Sequence, residues 1–160
     1  MKKVYITKNY SQTKKLGFDL AKKILKFGTD KKALVLGLRG DLGGGKTTFL
    51  QGFARGLGIK EKVLSPTFVI MRRFRIPKNK GRFSYFYHID SYRIKRPEEI
   101  QGLGFKKIVS FPENIVAIEW ADKISKALPG KTFWIIFDFI NKNKRKIAIN
   151  DNLSKWKING

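Results

Sequence analysis

Eight residues, Gly40-Asp41-Leu42-Gly43-Gly44-Gly45-Lys46-Thr47, constrain this chain more than any other stretch. They fit the phosphate-binding pattern G-x-x-x-x-G-K-[ST] at every fixed position. Glycines let the backbone curl so that successive N–H groups point inward, a nest that side chains would obstruct. The lysine brings a mobile positive charge to phosphate oxygens, and the hydroxyl after it is placed to ligate magnesium. The helix expected to open next directs its positive dipole end at the same anion. Contacts to a bound nucleotide are therefore expected from Asp41, Gly43, Gly44, Gly45, Lys46, Thr47 and Thr48.

The flanks fit a P-loop. Ala33-Leu34-Val35-Leu36-Gly37-Leu38 is a short apolar run that reads as a buried strand. Phe49, Leu50, Phe53, Ala54 and Leu57 then recur at helical spacing, with Gly56 and Gly58 closing the pattern.

Elsewhere the pattern alternates. Val4-Tyr5-Ile6 predicts a short strand, and Ser11 is placed to cap a helix striped by Leu16, Leu20, Ile24 and Phe27 and ended by Gly28 and Asp30. Val69-Ile70-Met71 reads as extended, and Arg72 to Arg82 as a basic hairpin loop containing Pro77, Asn79 and Gly81. Phe83 to Asp90 predicts a strand, Pro97-Glu98-Glu99 a helix start, and Asn114 to Ile118 a buried strand ending at Glu119. A helix is expected from about Asp122 to Leu128. Thr132 to Ile140 should pair with Lys146 to Asn150 through the turn Asn141-Lys142-Asn143-Lys144. The expectation is one α/β domain over 1–160: a P-loop NTPase fold with a largely parallel central sheet flanked by helices. An antiparallel C-terminal hairpin would lie at one sheet edge.

Bulk properties narrow the class. Hydrophobic residues make up 42% and charged residues 29%, the globular range. The absence of cysteine and a single histidine, His88, exclude a thiolate or His-cluster metal site. No secretory leader or membrane-spanning run is read, so the expectation is a soluble cytoplasmic protein. Lys and Arg total 35 against 12 Asp and Glu, a net charge of +23. Such an excess draws in polyanions, nucleic acid first among them; a lysine-rich genome accounts for it equally well. The densest stretch, Met71 to Arg96, holds nine basic residues against Asp90 alone.

Ligands of such sheets sit beyond the carboxyl ends of the strands. Glu119 ends an apolar strand in the Walker-B manner and can hold magnesium or orient the attacking water. Asp90 also ends a strand; a turn cap near Ser91 or an ion pair with Arg93 accounts for it as well. Thr67, in the loop after the P-loop helix, is either a nucleotide-sensing switch or an ordinary turn hydroxyl. His88 reads as a packing residue.

Four motifs in order, the P-loop through Thr48, Ser65-Pro66-Thr67-Phe68, His88-Ile89-Asp90-Ser91-Tyr92-Arg93 and Ile118-Glu119-Trp120, resemble the bacterial TsaE family. That family is the ATPase subunit of the tRNA threonylcarbamoyladenosine machinery. The resemblance runs from about Ser11 to Ile149, and Gly44 stands where the family usually has Ala. It implies ATP and magnesium as ligands, with Lys46 on the phosphates and Thr47 and Glu119 on the metal. It further implies Thr67 as the switch, Asp90 as a positioner of water, Thr13 beside the adenine, and Arg145 as the basic residue before the last strand. The implied partners are the subunits of the threonylcarbamoyl transferase complex; direct tRNA contact is an expectation from the basic surface alone, and no membrane partner is expected.

A metabolite kinase remains the alternative, since Arg72, Arg73 and Arg75 imitate an arginine lid. A GTPase fits worse, because Asn141-Lys142-Asn143-Lys144 lacks the acid of Asn-Lys-x-Asp. A non-enzymatic RNA-binding module leaves the P-loop and Glu119 without a purpose.

Overall fold

Stretches rich in β-branched and aromatic residues pair into one seven-stranded sheet in the computed structural model, which describes residues 2–28, 30–64 and 70–150. In chain order the elements are β1 (Lys2–Thr7), α1 (Tyr10–Ile24), β2 (Leu34–Gly40), α2 (Lys46–Gly56), β3 (Met71–Arg75) and β4 (Tyr85–Asp90). A 3₁₀ helix (Pro97–Leu103), α3 (Phe105–Ser110), β5 (Asn114–Glu119), a second 3₁₀ helix (Ala121–Ala127), β6 (Phe133–Phe139) and β7 (Arg145–Asn150) follow. The sheet order is β1-β7-β6-β2-β5-β4-β3.

The two central strands are covered on both faces, which is why their sequences are continuously apolar. Leu34, Leu36 and Leu38 of β2, with Ile115 and Ala117 of β5, face the core under α1 and α2. Val35, Val116 and Ile118 face the opposite way, into a second core closed by Ile100, Phe105, Ile108 and Ile124. Helices α1 and α2 cross with their backbones nearly touching: a Cβ at Gly52 would lie 1.9 Å from Lys14 O, and one at Gly17 would lie 2.1 Å from Phe49 O.

Several expectations need correction. The sheet is mixed rather than largely parallel. The pairs β6–β2, β2–β5 and β5–β4 are parallel, but β1–β7, β7–β6 and β4–β3 are antiparallel. The C-terminal hairpin is not an edge, because β1 pairs along the whole of β7. Residues 72–75, expected in the loop, instead continue the strand begun at Met71: β4 supplies the ladder, and only Phe74 turns fully inward. Asn9, not Ser11, caps α1, its Oδ1 accepting from the Gln12 N–H at 2.9 Å. That helix ends at Ile24, before Gly28. The helix expected near Asp122 is a kinked 3₁₀ segment, and α3 was not anticipated.

Candidate active site

The loop between β2 and α2 has the backbone that its glycines predict. Gly43 and Gly45 have φ of 75° and 94°, the left-handed region that side chains disfavour. Gly45 directly precedes α2 as its N-cap. A Cβ at Gly44 would lie 2.9 Å from Asp41 O, so the Ala usual in the resembled family would need that carbonyl to shift slightly. The loop lies where β2 ends, beside the end of β5: Leu38 is level with Glu119 across the parallel pair.

Lys46 opens α2 and is buried. Its Nζ donates to Gly40 O at 2.6 Å and to Asp41 O at 2.9 Å, so the ammonium sits inside the loop. It also lies 4.0 Å from the centre of the Trp120 ring. Burial pulls its pKa below the ordinary lysine value, and the nearby carboxylates of Glu119, Asp122, Asp41 and Asp90 oppose that pull. Trp120 is the one non-glycine residue with positive φ, 57°, among those described. Its ring packs against Tyr92 at 5.1 Å. Trp120 belongs to one of the four motifs but not to the residues expected at the site; its place directly after the strand-end acid is the signal the sequence offers.

Next in the chain, the Thr47 hydroxyl donates to Glu119 Oε1 at 2.7 Å. The other carboxylate oxygen, Oε2, is 2.6 Å from His88 Nε2. Glu119 and His88 are both buried. Asp90 is level with Glu119 across β4 and β5, and its Oδ1 accepts from the Tyr92 N–H at 2.9 Å, the turn-capping role that the sequence left open.

Two other expected residues support the loop. Thr13 is buried, its hydroxyl 2.7 Å from that of Thr7, and its methyl would lie 3.6 Å from a Cβ at Gly45. Arg145 donates from Nε to Gly43 O at 2.9 Å and from Nη1 to Asn141 O and Lys144 O. It ties the turn before β7 to the glycine loop and also borders the cleft. Thr67 lies outside the described residues.

The cleft above the loop holds about 290 Å³ between Tyr10, Leu42, Gly44, Thr48, Trp120 and Arg145. A larger groove, about 460 Å³, runs past Phe18 and Val63, away from the Thr47–Glu119 pair. No group of three or more His, Cys, Asp or Glu that could hold a metal occurs among the described residues. The oxygens of Thr47 and Glu119 suit magnesium, which commonly takes one or two protein oxygens and completes its shell with phosphate and water.

The model of the family described as "Threonylcarbamoyl adenosine biosynthesis protein TsaE" matches residues 7–147. The chain belongs to the TsaE family. The resemblance carried by the four motifs is thereby borne out. A TsaE protein of Haemophilus influenzae is 32% identical over 152 residues, covering 94% of this chain and 91% of the relative. One from Bacillus subtilis is 39% identical over 114 residues, 71% of this chain and 67% of the relative. Both are named tRNA threonylcarbamoyladenosine biosynthesis proteins. The crystal structure of Bacillus subtilis YdiB aligns with a TM-score of 0.69 at 32% identity, covering 93% of this chain and 84% of that one. The TsaE match runs from the last residue of β1 to the middle of β7, so it takes in β2 to β6 entire and every described residue of the cleft.

Proposed function

We propose that this TsaE chain is a P-loop NTPase that binds and hydrolyses ATP with magnesium. In this reading it supports threonylcarbamoyl modification of the adenosine beside the tRNA anticodon, in the cytoplasm. The observation that carries the reading is the Thr47–Glu119 hydrogen bond at the mouth of a glycine loop. It joins a hydroxyl and a strand-end carboxylate beside the loop, a pair of oxygen donors of the kind that holds magnesium next to phosphate.

The loop N–H groups from Gly43 to Thr48 would receive the phosphates. Lys46, already inside the loop, would exchange carbonyl partners for phosphate oxygens. Thr47 and Glu119 would hold the magnesium, which when bound offsets charge on the phosphates. Asp90 and Glu119 are the carboxylates that would orient the attacking water. Thr67, on the strength of the family motif, is assigned the nucleotide-sensing role. The partners proposed are subunits of the threonylcarbamoyl transferase complex. The exposed Arg72, Arg73 and Arg75 of β3 are proposed to contact tRNA phosphates.

Phosphate release and nucleotide binding, followed together in the wild type and Lys46→Ala, test the reading. Hydrolysis should be slow in the isolated chain and abolished in the variant. Adding the transferase subunits with ATP or ADP should give different partner affinities, and tRNA binding should weaken steeply with salt. Unchanged turnover in Lys46→Ala, or label passing from ATP to a metabolite in place of inorganic phosphate, would overturn it.

A further inference from the structure

We propose that His88 is a positioning residue: its Nε2–H pins one oxygen of the Glu119 carboxylate so that the other is presented to Thr47. The inference rests on the reading of Glu119 as the metal-side acid and assigns His88 a role beyond packing. The two side chains meet across the parallel strands β4 and β5, and both are buried.

Glu119 is held at two points. Oε1 accepts from Thr47 and Oε2 lies 2.6 Å from His88 Nε2. A carboxylate fixed at one oxygen alone still rotates about its last torsion; one fixed at both has a single orientation. Holding an acid in its working geometry before the ligand arrives is how a neighbouring histidine raises metal affinity.

The surroundings of the two ring nitrogens fix the tautomer. His88 Nδ1 is buried and has no hydrogen-bond partner. A proton on Nδ1 would make a buried orphan donor, rarer in folded proteins than an orphan acceptor. The proton therefore belongs on Nε2, where the carboxylate accepts it. Filling space at this position does not require a donor. An apolar side chain of the same volume would leave Oε2 buried without this donor.

His88 is the only histidine in the chain, so its imidazole gives one unambiguous set of ¹⁵N resonances. We expect the Nε2–H tautomer, with a slowly exchanging proton that is lost in Glu119→Ala. An Nδ1–H tautomer, or a proton indifferent to Glu119→Ala, would overturn the inference. This measurement needs no ATP turnover, so it decides the pair even if the chain hydrolyses nothing and the functional reading fails.

The second arm compares His88→Leu with His88→Gln, whose amide can replace the lost donor, after thermal unfolding shows both folded. His88→Leu should raise the magnesium concentration for half-maximal turnover about tenfold or more while nucleotide affinity without metal is kept, and Gln should recover most of the loss. Wild-type metal dependence in His88→Leu, or Gln no better than Leu, reduces His88 to packing.

Discussion

The Thr47 hydroxyl and Glu119 Oε1 are 2.7 Å apart, although 72 residues separate them in the chain. The bond joins the first turn of α2 to the end of β5 and faces the hydroxyl and the carboxylate into one small space. A hydroxyl has one proton and two lone pairs, so Thr47 can donate to Glu119 and still present oxygen to a cation.

Glu119→Gln should therefore lower hydrolysis far more than nucleotide binding. The amide keeps the volume and one acceptor oxygen, which Thr47 and the His88 Nε2–H can no longer both use, and it removes the charge proposed to act on metal and water. The loop's backbone N–H groups, proposed to supply most phosphate contacts, are untouched. We expect turnover to fall about a hundredfold or more and nucleotide affinity to change by a few fold, read from single-turnover and binding measurements. Equal losses in both would make the carboxylate a binding group only.

Burial lowers the pKa of Lys46, which makes its contribution to stability pH-dependent with a definite sign. In the window between its lowered folded value and the ordinary value of 10.5, the unfolded chain carries more protons at this site than the folded one. Stability then rises with pH through that window, and below it the penalty for burying the ammonium applies in full. Chemical unfolding of wild type and Lys46→Met at neutral and alkaline pH should show the difference moving in favour of the wild type as pH rises. The opposite slope would mean that the four surrounding carboxylates outweigh desolvation.

Arg145 gives a sharper separation of roles. Its guanidinium already serves Gly43 O, Asn141 O and Lys144 O, so Arg145→Gln should loosen the loop before any nucleotide is present. Hydrogen bonds from a charged donor contribute about 1.5–3 kcal/mol each. A fall in the melting temperature of roughly 4 °C or more is expected, together with weaker nucleotide binding. Weaker binding at an unchanged melting temperature would instead make Arg145 a direct ligand contact.

The parts of this architecture that were legible are those encoded locally. The glycine loop, Lys46 and Thr47 stand at fixed spacing, and the five apolar-to-acid residues before Trp120 announce β5 and its terminal Glu119. What escaped depends on partners distant in sequence. Arg72-Arg73-Phe74-Arg75 looks like a polar loop until β4 supplies its hydrogen bonds. The inner position of β7 depends on β1, at the other end of the chain. Asn9 and Ser11 are both competent caps, and only the geometry of the first turn selects Asn9. Arg145 stands out only through the family resemblance, and nothing local announces its bond to Gly43, 102 positions away.

Gly52, in the middle of α2, is equally opaque, and it carries the last expectation. Within a helix, glycine costs about 1 kcal/mol relative to alanine, so Gly52 on propensity alone invites replacement. The structure reverses that sign. A Cβ at Gly52 would lie 1.9 Å from the Lys14 carbonyl oxygen, and its next contacts are also backbone atoms, which cannot swing aside as a side-chain tip would. Helices α1 and α2 would have to separate, and α2 carries Lys46 and Thr47 at its start, so the displacement reaches the site. Overpacking of this kind costs about 1–3 kcal/mol or more. Gly102, on the 3₁₀ helix, is the matched contrast, because a Cβ there meets nothing within 4 Å. We expect Gly52→Ala to melt several degrees below the wild type and to bind nucleotide less tightly, while Gly102→Ala melts at or slightly above it. Thermal unfolding of both variants settles the point. A Gly52→Ala chain as stable as the wild type would show that the two helices are not held backbone to backbone.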